Sequence, residues 1–337
     1  MPKEQRRLNM YKSPFLRGVT NEYLVSLDIF IAALPAIIWS AIVYGARAVA
    51  VVLIAMLCGA LFEVIYAVIF RKGARIPTAA LLGMMIALFM PAGINYFMIP
   101  ITVFIAVTLR RFLGGFVNPV AAALVPFFIF TGMMTSHTAA FTKLDFTVVS
   151  YWDQMRELAT ETPLDSLMSG IIPDIKMLDL FLGNATEAIG AMSPLLLMLG
   201  GIYLICRKVI SWQIPVGFLG GATVIWFFLY FDGAHYEYLV YHICAGGIFL
   251  GAFFGATEFS STPVTPTGRL IHGIGCGVLT MVFRKIGFAA ESVLLSMLVM
   301  SLFSRVIDMI TAESYFGYHS KKIGERFETF LPNPKKK

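Results

Sequence analysis

Charge is what this chain has least of: only 14% of its 337 residues are Asp, Glu, Lys or Arg. A water-soluble domain of this size needs more polar surface than that to cover its core. With 58% hydrophobic residues and a mean hydropathy of +0.78, the solvent for most of the chain is expected to be lipid. Cysteine is also sparse. Cys58, Cys206, Cys244 and Cys276 stand singly with no C-x-x-C spacing, so the chain encodes neither a zinc site nor a complete iron-sulfur site, and no metal ligand set is assigned. Alternating polarity of the barrel-strand kind is lacking, which leaves helices as the spanning elements. No small-residue cleavage site follows the first apolar segment, so that segment is expected to be retained. The net charge of +6 is clustered in short groups rather than spread over a face, and it gives no support to a nucleic-acid partner.

What the sequence has in abundance is apolar segments separated by short polar breaks. Tyr23 to Tyr44, Ala46 to Phe70, Pro77 to Met90, Asn95 to Leu109 and Pro119 to Thr135 form a first set. Ile189 to Cys206, Ile214 to Phe231, Leu239 to Phe254, Leu270 to Phe283 and Ser292 to Ile310 form a second. The fold class is therefore an all-α integral membrane protein of about ten transmembrane helices. Pro77 to Met90 and Leu270 to Phe283 fall short of a full span. Short or broken helices are tolerated at membrane depth where they pack on protein or line a cavity. Five helices before the central segment and five after it suggest two inverted halves, 23–135 and 189–310, although no internal sequence match supports the repeat.

Between the halves lies an acidic insertion, 136–188, carrying Asp145, Asp153, Glu157, Glu161, Asp165, Asp174, Asp179 and Glu187 against Lys143, Arg156 and Lys176. It reads as largely water-facing. Lys and Arg near helix ends are retained in the cytoplasm. With ten helices, the N-terminus (1–22), Arg71, Lys72, Arg75, Arg110, Arg111, Arg207, Lys208, Arg269 and the basic tail (311–337) share one side. That orientation makes both termini cytoplasmic and the insertion outward-facing; Arg284 and Lys285 are the exception.

Several motifs in order carry a family resemblance. They are Ser13-Pro14 with Arg17, Asp28 with Ala33-Leu34-Pro35-Ala36, Gly114-Gly115 with Asn118-Pro119, and Gly183-Asn184 with Ile189-Gly190 and Ser193. Lys208-Val209-Ile210 with Trp212 and Ile214-Pro215 follows, then Ala256-Thr257, Pro263-Val264-Thr265-Pro266 with Gly268-Arg269, and Ile307-Asp308. Together these resemble the family of membrane flavoproteins that includes the D-type subunit of the Rnf ion-translocating electron-transport complex and the B-type subunit of the sodium-pumping NADH:quinone reductase. The resemblance implies one subunit of a multisubunit, redox-driven ion-translocating oxidoreductase of the ferredoxin:NAD type, in a bacterial or archaeal cytoplasmic (inner) membrane, with Na+ or H+ as the ion. It implies an FMN joined through its phosphate to a threonine in the outward loop, attached by a flavin transferase, with a second, non-covalent flavin such as riboflavin as a further expectation. Partner chains are expected to hold the iron-sulfur centres and to include another flavin-carrying subunit.

Thr162, in Thr162-Pro163-Leu164, falls where the family's acceptor threonine belongs. Around it the chain departs from the family pattern, with Glu161, Ala159 and Arg156 at positions where Ala, Ser or Thr, and Asp are usual, so Thr160 is the alternative acceptor. Without the resemblance, Thr162-Pro163 is an ordinary turn entry. Gly183, Asn184 and Ser193 match a second flavin-loop motif, and their plainer reading is helix capping around Asn184 or Thr186. The loop Ala256 to Pro266 is a candidate cavity lining or a plain connector. Asp28, Glu63, Glu291 and Asp308 lie in or at the ends of apolar helices, where an unpaired carboxylate costs about 2.5–3.5 kcal/mol at the helix centre; they are ion-path candidates. His242 and His272, each alone on an apolar helix, read as packing residues. Intramembrane carboxylates and short helices also suit a secondary transporter of an ion or small solute, and a structural subunit without flavin is the third reading.

Overall fold

The computed structural model describes residues 22–71, 73–92, 94, 96–114, 116–124, 162–170, 173, 175–230 and 236–311. Among these, every regular element is helical. α1 (Glu22–Tyr44) and α2 (Ala46–Phe70) are long, apolar and turn at Gly45; α3 (Ile76–Phe89) is shorter and opens on Pro77 in its first turn. α4 (Met98–Leu113) ends in Arg110 and Arg111, and a 3-10 turn, Pro119–Ala123, follows. The described part of the insertion contains two short helices, α5 (Pro163–Met168) and α6 (Met177–Leu182). The second half comprises α7 (Pro194–Cys206), α8 (Gln213–Tyr230), α9 (Tyr236–Cys244), α10 (Ile248–Leu250) running into a π-helical turn at Gly251–Gly255, α11 (Pro266–Ile286) and α12 (Glu291–Thr311).

α1, α2 and α12 are long and apolar enough to cross a membrane on their own, and the bent pair Tyr238–Cys244 plus Ile248–Gly255 makes a fourth candidate span. Leucines and aromatics along these helices remain bare, Leu57 at 68% and Phe303 at 52% exposure among them. An apolar belt of that extent requires lipid rather than water around it.

The strongest helix pairing is α8 against α11. Gly217 and Gly221 on α8 meet Gly273 and Gly277 on α11; a Cβ at Gly277 would lie 2.1 Å from the Phe218 carbonyl oxygen, and one at Gly273 2.5 Å from that of Ile214. Two small-xxx-small faces thus bring the backbones into direct contact, the packing by which helices associate without hydrophobic drive in lipid. α2 meets α3 similarly at Gly59 and Gly83. Some pairings have counterparts on the two sides of the insertion: α2 packs on α4 and α8 on α11, α1 packs on α3 and α7 on α10 and the π turn, whereas the close α2–α3 pairing has only a slight counterpart in α8 against the π turn.

Three expected spans differ in the structure. Leu239 to Phe254 is not one helix: Gly246 and Gly247 take φ of 70° and 72°, a region glycine enters without strain, and the pair bends by 53° there. Ile189 to Cys206 is helical only from Pro194. The stretch before it instead bonds α3, with the Ile189 N–H donating to the Met90 carbonyl (3.0 Å) and Gly190 to that of Leu88 (2.8 Å). Leu270 to Phe283 is the interior of a 21-residue helix whose polar ends, Arg269 and Arg284-Lys285, obscure its length in the sequence. The fifth expected helix is described only to Leu124, and residues 1–21 and 312–337, with Ser13, Pro14 and Arg17, lie outside the described residues.

Candidate functional site

The described end of the insertion is less water-facing than its composition suggests: Leu164, Leu167 and Leu180 join the core. Thr162 caps α5, which explains why the helix starts there. Its hydroxyl donates to Asp165 Oδ2 at 2.7 Å and accepts from the Asp165 N–H at 3.2 Å, a reciprocal cap one turn long. Thr162 is 7% exposed and Asp165 is exposed. Thr160, the alternative acceptor, lies outside the described residues.

The Thr162 hydroxyl has a carboxylate beside it that accepts its hydrogen bond. That suits a hydroxyl giving up its proton on esterification. The same carboxylate faces any phosphate placed there, and Lys176, an exposed cation, stands at the start of α6.

Gly183 and Ser193 are brought together. Gly183 has φ of 100°, and a Cβ there would lie 2.7 Å from both Ser193 Cβ and Trp39 Nε1; Trp39 Nε1 donates to the Gly183 carbonyl at 2.9 Å. Ser193 caps α7 by accepting from the Leu196 N–H. Asn184 is exposed and its amide reaches Asp179 at 3.5 Å. The cap is therefore Ser193 rather than Asn184 or Thr186.

Between these residues lies a buried polar cluster. Glu187, 3% exposed, is gripped at its backbone by Tyr44, whose hydroxyl donates to the Glu187 carbonyl at 2.6 Å and accepts from its N–H at 3.0 Å. Its carboxylate accepts from the Gly246 N–H at 3.0 Å. Burial pushes the Glu187 carboxyl up to about 7, against the downward pull of the Gly246 hydrogen bond and the Arg284 charge, while Asp165 adds to the rise. Arg284, 2% exposed, fills the α9–α10 break and donates to the carbonyls of His242, Ala245 and Gly246 and to Ser292 Oγ. The break leaves these carbonyls without helical partners, and a guanidinium supplies donors in the required fork. Sequence reading missed this cluster. The Gly246-Gly247 doublet and the anomalous position of Arg284 in the charge pattern were its only signals.

At the opposite end of the bundle, three of the carboxylate candidates are paired. Asp28 takes Arg207 at 3.1 Å on each oxygen and the Tyr203 hydroxyl at 3.1 Å. Glu63 takes Arg111 and the Arg75 N–H. Asp308 accepts from the Val264 and Thr265 N–H groups, holding the Pro263 to Pro266 loop against α12. Glu291 is at the start of α12, on the Arg284 side. The four do not form one path.

Near the paired end is a cavity of about 500 Å³. Phe253, Phe254 and Phe259 give it apolar walls, Thr257 and Ser260 give hydroxyls, and Arg75 stands at its edge. The Ala256 to Pro266 loop thus contributes to a cavity as well as connecting helices. Among the described residues, no group of three or more His, Cys, Asp or Glu is arranged to hold a metal ion.

Known proteins share this pattern over most of its length. The model of the NQR2, RnfD, RnfE family matches residues 9–317. The chain is 31% identical over 321 residues to the D subunit of the Na(+)-translocating ferredoxin:NAD(+) oxidoreductase complex of Acetobacterium woodii, covering 92% of this chain and 95% of that one. It is 29% identical to the D subunit of the proton-translocating ferredoxin:NAD(+) oxidoreductase complex of Clostridium ljungdahlii, covering 94% and 99%. With the D subunit of the ion-translocating oxidoreductase complex of Halorhodospira halophila it shares 39% identity over 128 residues, 38% of this chain and 36% of that one. A match over nearly the whole length, on an apolar helical bundle, means that the chain belongs to the NQR2, RnfD, RnfE family.

Proposed function

We propose that this chain is the membrane subunit of an ion-translocating ferredoxin:NAD-type oxidoreductase complex, and that it carries FMN on the Thr162 hydroxyl. The observation that carries the first part is the family match across residues 9–317, with two relatives of nearly equal length bearing that activity in their names. One is named for Na+ and the other for protons, so the proposal covers either ion. The helix pairings common to the two sides of the insertion support a plan of two halves. A buried guanidinium is not a loop charge, which leaves the exposed Lys285 as the exception to the orientation set by the other cations.

Thr162 fits the acceptor role through its oxygen chemistry. The hydroxyl sits at the entry to α5 with Asp165 accepting its hydrogen bond, and Leu164 two residues on anchors the segment to the core. FMN bound there supplies one- and two-electron redox chemistry, and covalent attachment keeps it at its donor without a repeated encounter. The chain's own part is to fix the hydroxyl, hold Asp165 beside it and tie α5 to the bundle. The cavity of about 500 Å³ is our candidate for a second, non-covalent flavin such as riboflavin: its volume is within the range of small-molecule pockets, its phenylalanine walls suit a flat ring, and Glu22, Glu258, Arg75 and Arg110 supply charged groups for the polar edge. The electron partners are other subunits of the complex.

The test is peptide mass spectrometry of the full chain coexpressed with a flavin transferase. A peptide containing Thr162 should gain the mass of FMN less water; T162A should abolish the gain and T162S retain it. An unmodified Thr162 peptide, or a gain that survives T162A and disappears in T160A, would remove Thr162 from the acceptor role.

A further inference from the structure

We propose that Glu187 is a proton-loading site of this protein, a carboxyl that exchanges a proton with the α5 side of the bundle and thereby alters the hydrogen bond holding the α9–α10 break. The geometry singles out the carboxyl as the one part of Glu187 able to change state. Tyr44 fixes both the N–H and the carbonyl of this residue from α1. The side chain ends on the Gly246 N–H, at a point where the chain takes left-handed backbone angles between two helices.

The charged and titratable groups around it come from every neighbouring element. Arg284 approaches from α11, its donors engaged by backbone carbonyls and Ser292, so dipoles compensate its charge and its effect on Glu187 is through space. His242 lies on α9 with its carbonyl on Arg284. Asp165 lies on α5 and acts on both Glu187 and Glu291, which opens α12. Tyr44 completes the ring from α1. Burial and one neighbouring anion favour the neutral acid; one cation and one N–H favour the carboxylate. These opposing influences place the carboxyl near neutral pH, where a proton can be both taken up and returned.

Asp165, an exposed carboxylate on α5, acts on the buried carboxyl through space, and the exchange is assigned to its side of the bundle. The step is a bare proton transfer: an O–H bond forms on Glu187, a proton leaves the aqueous side, and no electron moves. An ionised carboxylate makes a charge-assisted bond to Gly246, roughly twice as strong as the bond a neutral acid makes. Loading the proton therefore loosens the break. The part of this in ion translocation rests on the functional reading above; the proton site does not.

The test is a pH titration of the full-length chain in detergent, followed in the carboxylic-acid carbonyl region of the infrared spectrum. The wild type should show a band that bleaches with a midpoint near neutral pH, and E187Q should lose it. D165N removes a neighbouring negative charge and should move the midpoint down, which keeps the site testable even if E187Q does not fold. A band that persists in E187Q, or a midpoint unmoved in D165N, would overturn the site. In the assembled complex, E187Q should slow ion transport more than electron transfer. Equal transport by E187Q and wild type, with the titration intact, would overturn the coupling role, whereas an unflavinylated Thr162 would count against the functional reading alone.

Discussion

The two ends of the bundle treat charge in opposite ways. At the end holding Asp28, Glu63 and Asp308, the carboxylates of Asp28 and Glu63 are themselves buried but meet arginines that reach solvent, the Arg207 side chain 55% exposed and that of Arg111 23%, and Asp308 meets backbone N–H groups. At the other end, Glu187 and Arg284 are nearly sealed and are satisfied by backbone groups of a broken helix. The difference teaches that carboxylates embedded in apolar sequence are not equivalent. Those reached by arginine at a helix end act as anchors, and the one enclosed among helix breaks is placed to change charge.

That contrast can be broken by substitution. The largest effect is expected for R284A, which strips the carbonyls at the break of their donors and should destabilise the purified chain by about 3–5 kcal/mol, read as thermal unfolding in detergent; a loss under about 1 kcal/mol would place Arg284 with the surface pairs. E63A should cost less, about 1–3 kcal/mol, because Arg111 regains water while the Arg75 N–H loses its acceptor. The smallest effect is expected for D28N, a small fall in the same unfolding temperature, since the Arg207 side chain is 55% exposed and solvent screens its half of the pair, while the amide keeps an oxygen for the Tyr203 hydroxyl. That fall should shrink further in high salt, and the R284A cost should not.

Much of the bundle was legible in the sequence because lipid imposes a simple rule, that apolar runs become helices. α1, α2 and α12 begin and end within a residue or two of the apolar segments that predict them. The rule says nothing about where a helix breaks inside an apolar run, which is why the bend at Gly246-Gly247 was absorbed into one span. It also treats a charge as the end of a helix, which clipped α11 at Phe283 and hid Arg284 in its buried last turn. Glu187 was counted among the acidic residues of a solvated loop; its burial depends on Tyr44, 143 residues away, a contact that no local pattern carries. The small-residue spacings at Gly217, Gly221, Gly273 and Gly277 were in plain view, and they fix the strongest helix pairing.

The bonds from Ile189 and Gly190 to the carbonyls of Met90 and Leu88 bear on how the protein is made. Those carbonyls belong to fully buried residues at the end of α3, and their donors are about a hundred residues downstream. Asn118 is in the same position, its side chain donating to the Gly255 carbonyl at 2.9 Å and its N–H to Ser301. During synthesis, the first half thus leaves the ribosome with polar groups that only the second half can satisfy. A chain truncated before residue 189 is therefore expected to leave the end of α3 without these donors and to be recognised by membrane quality control as unfinished.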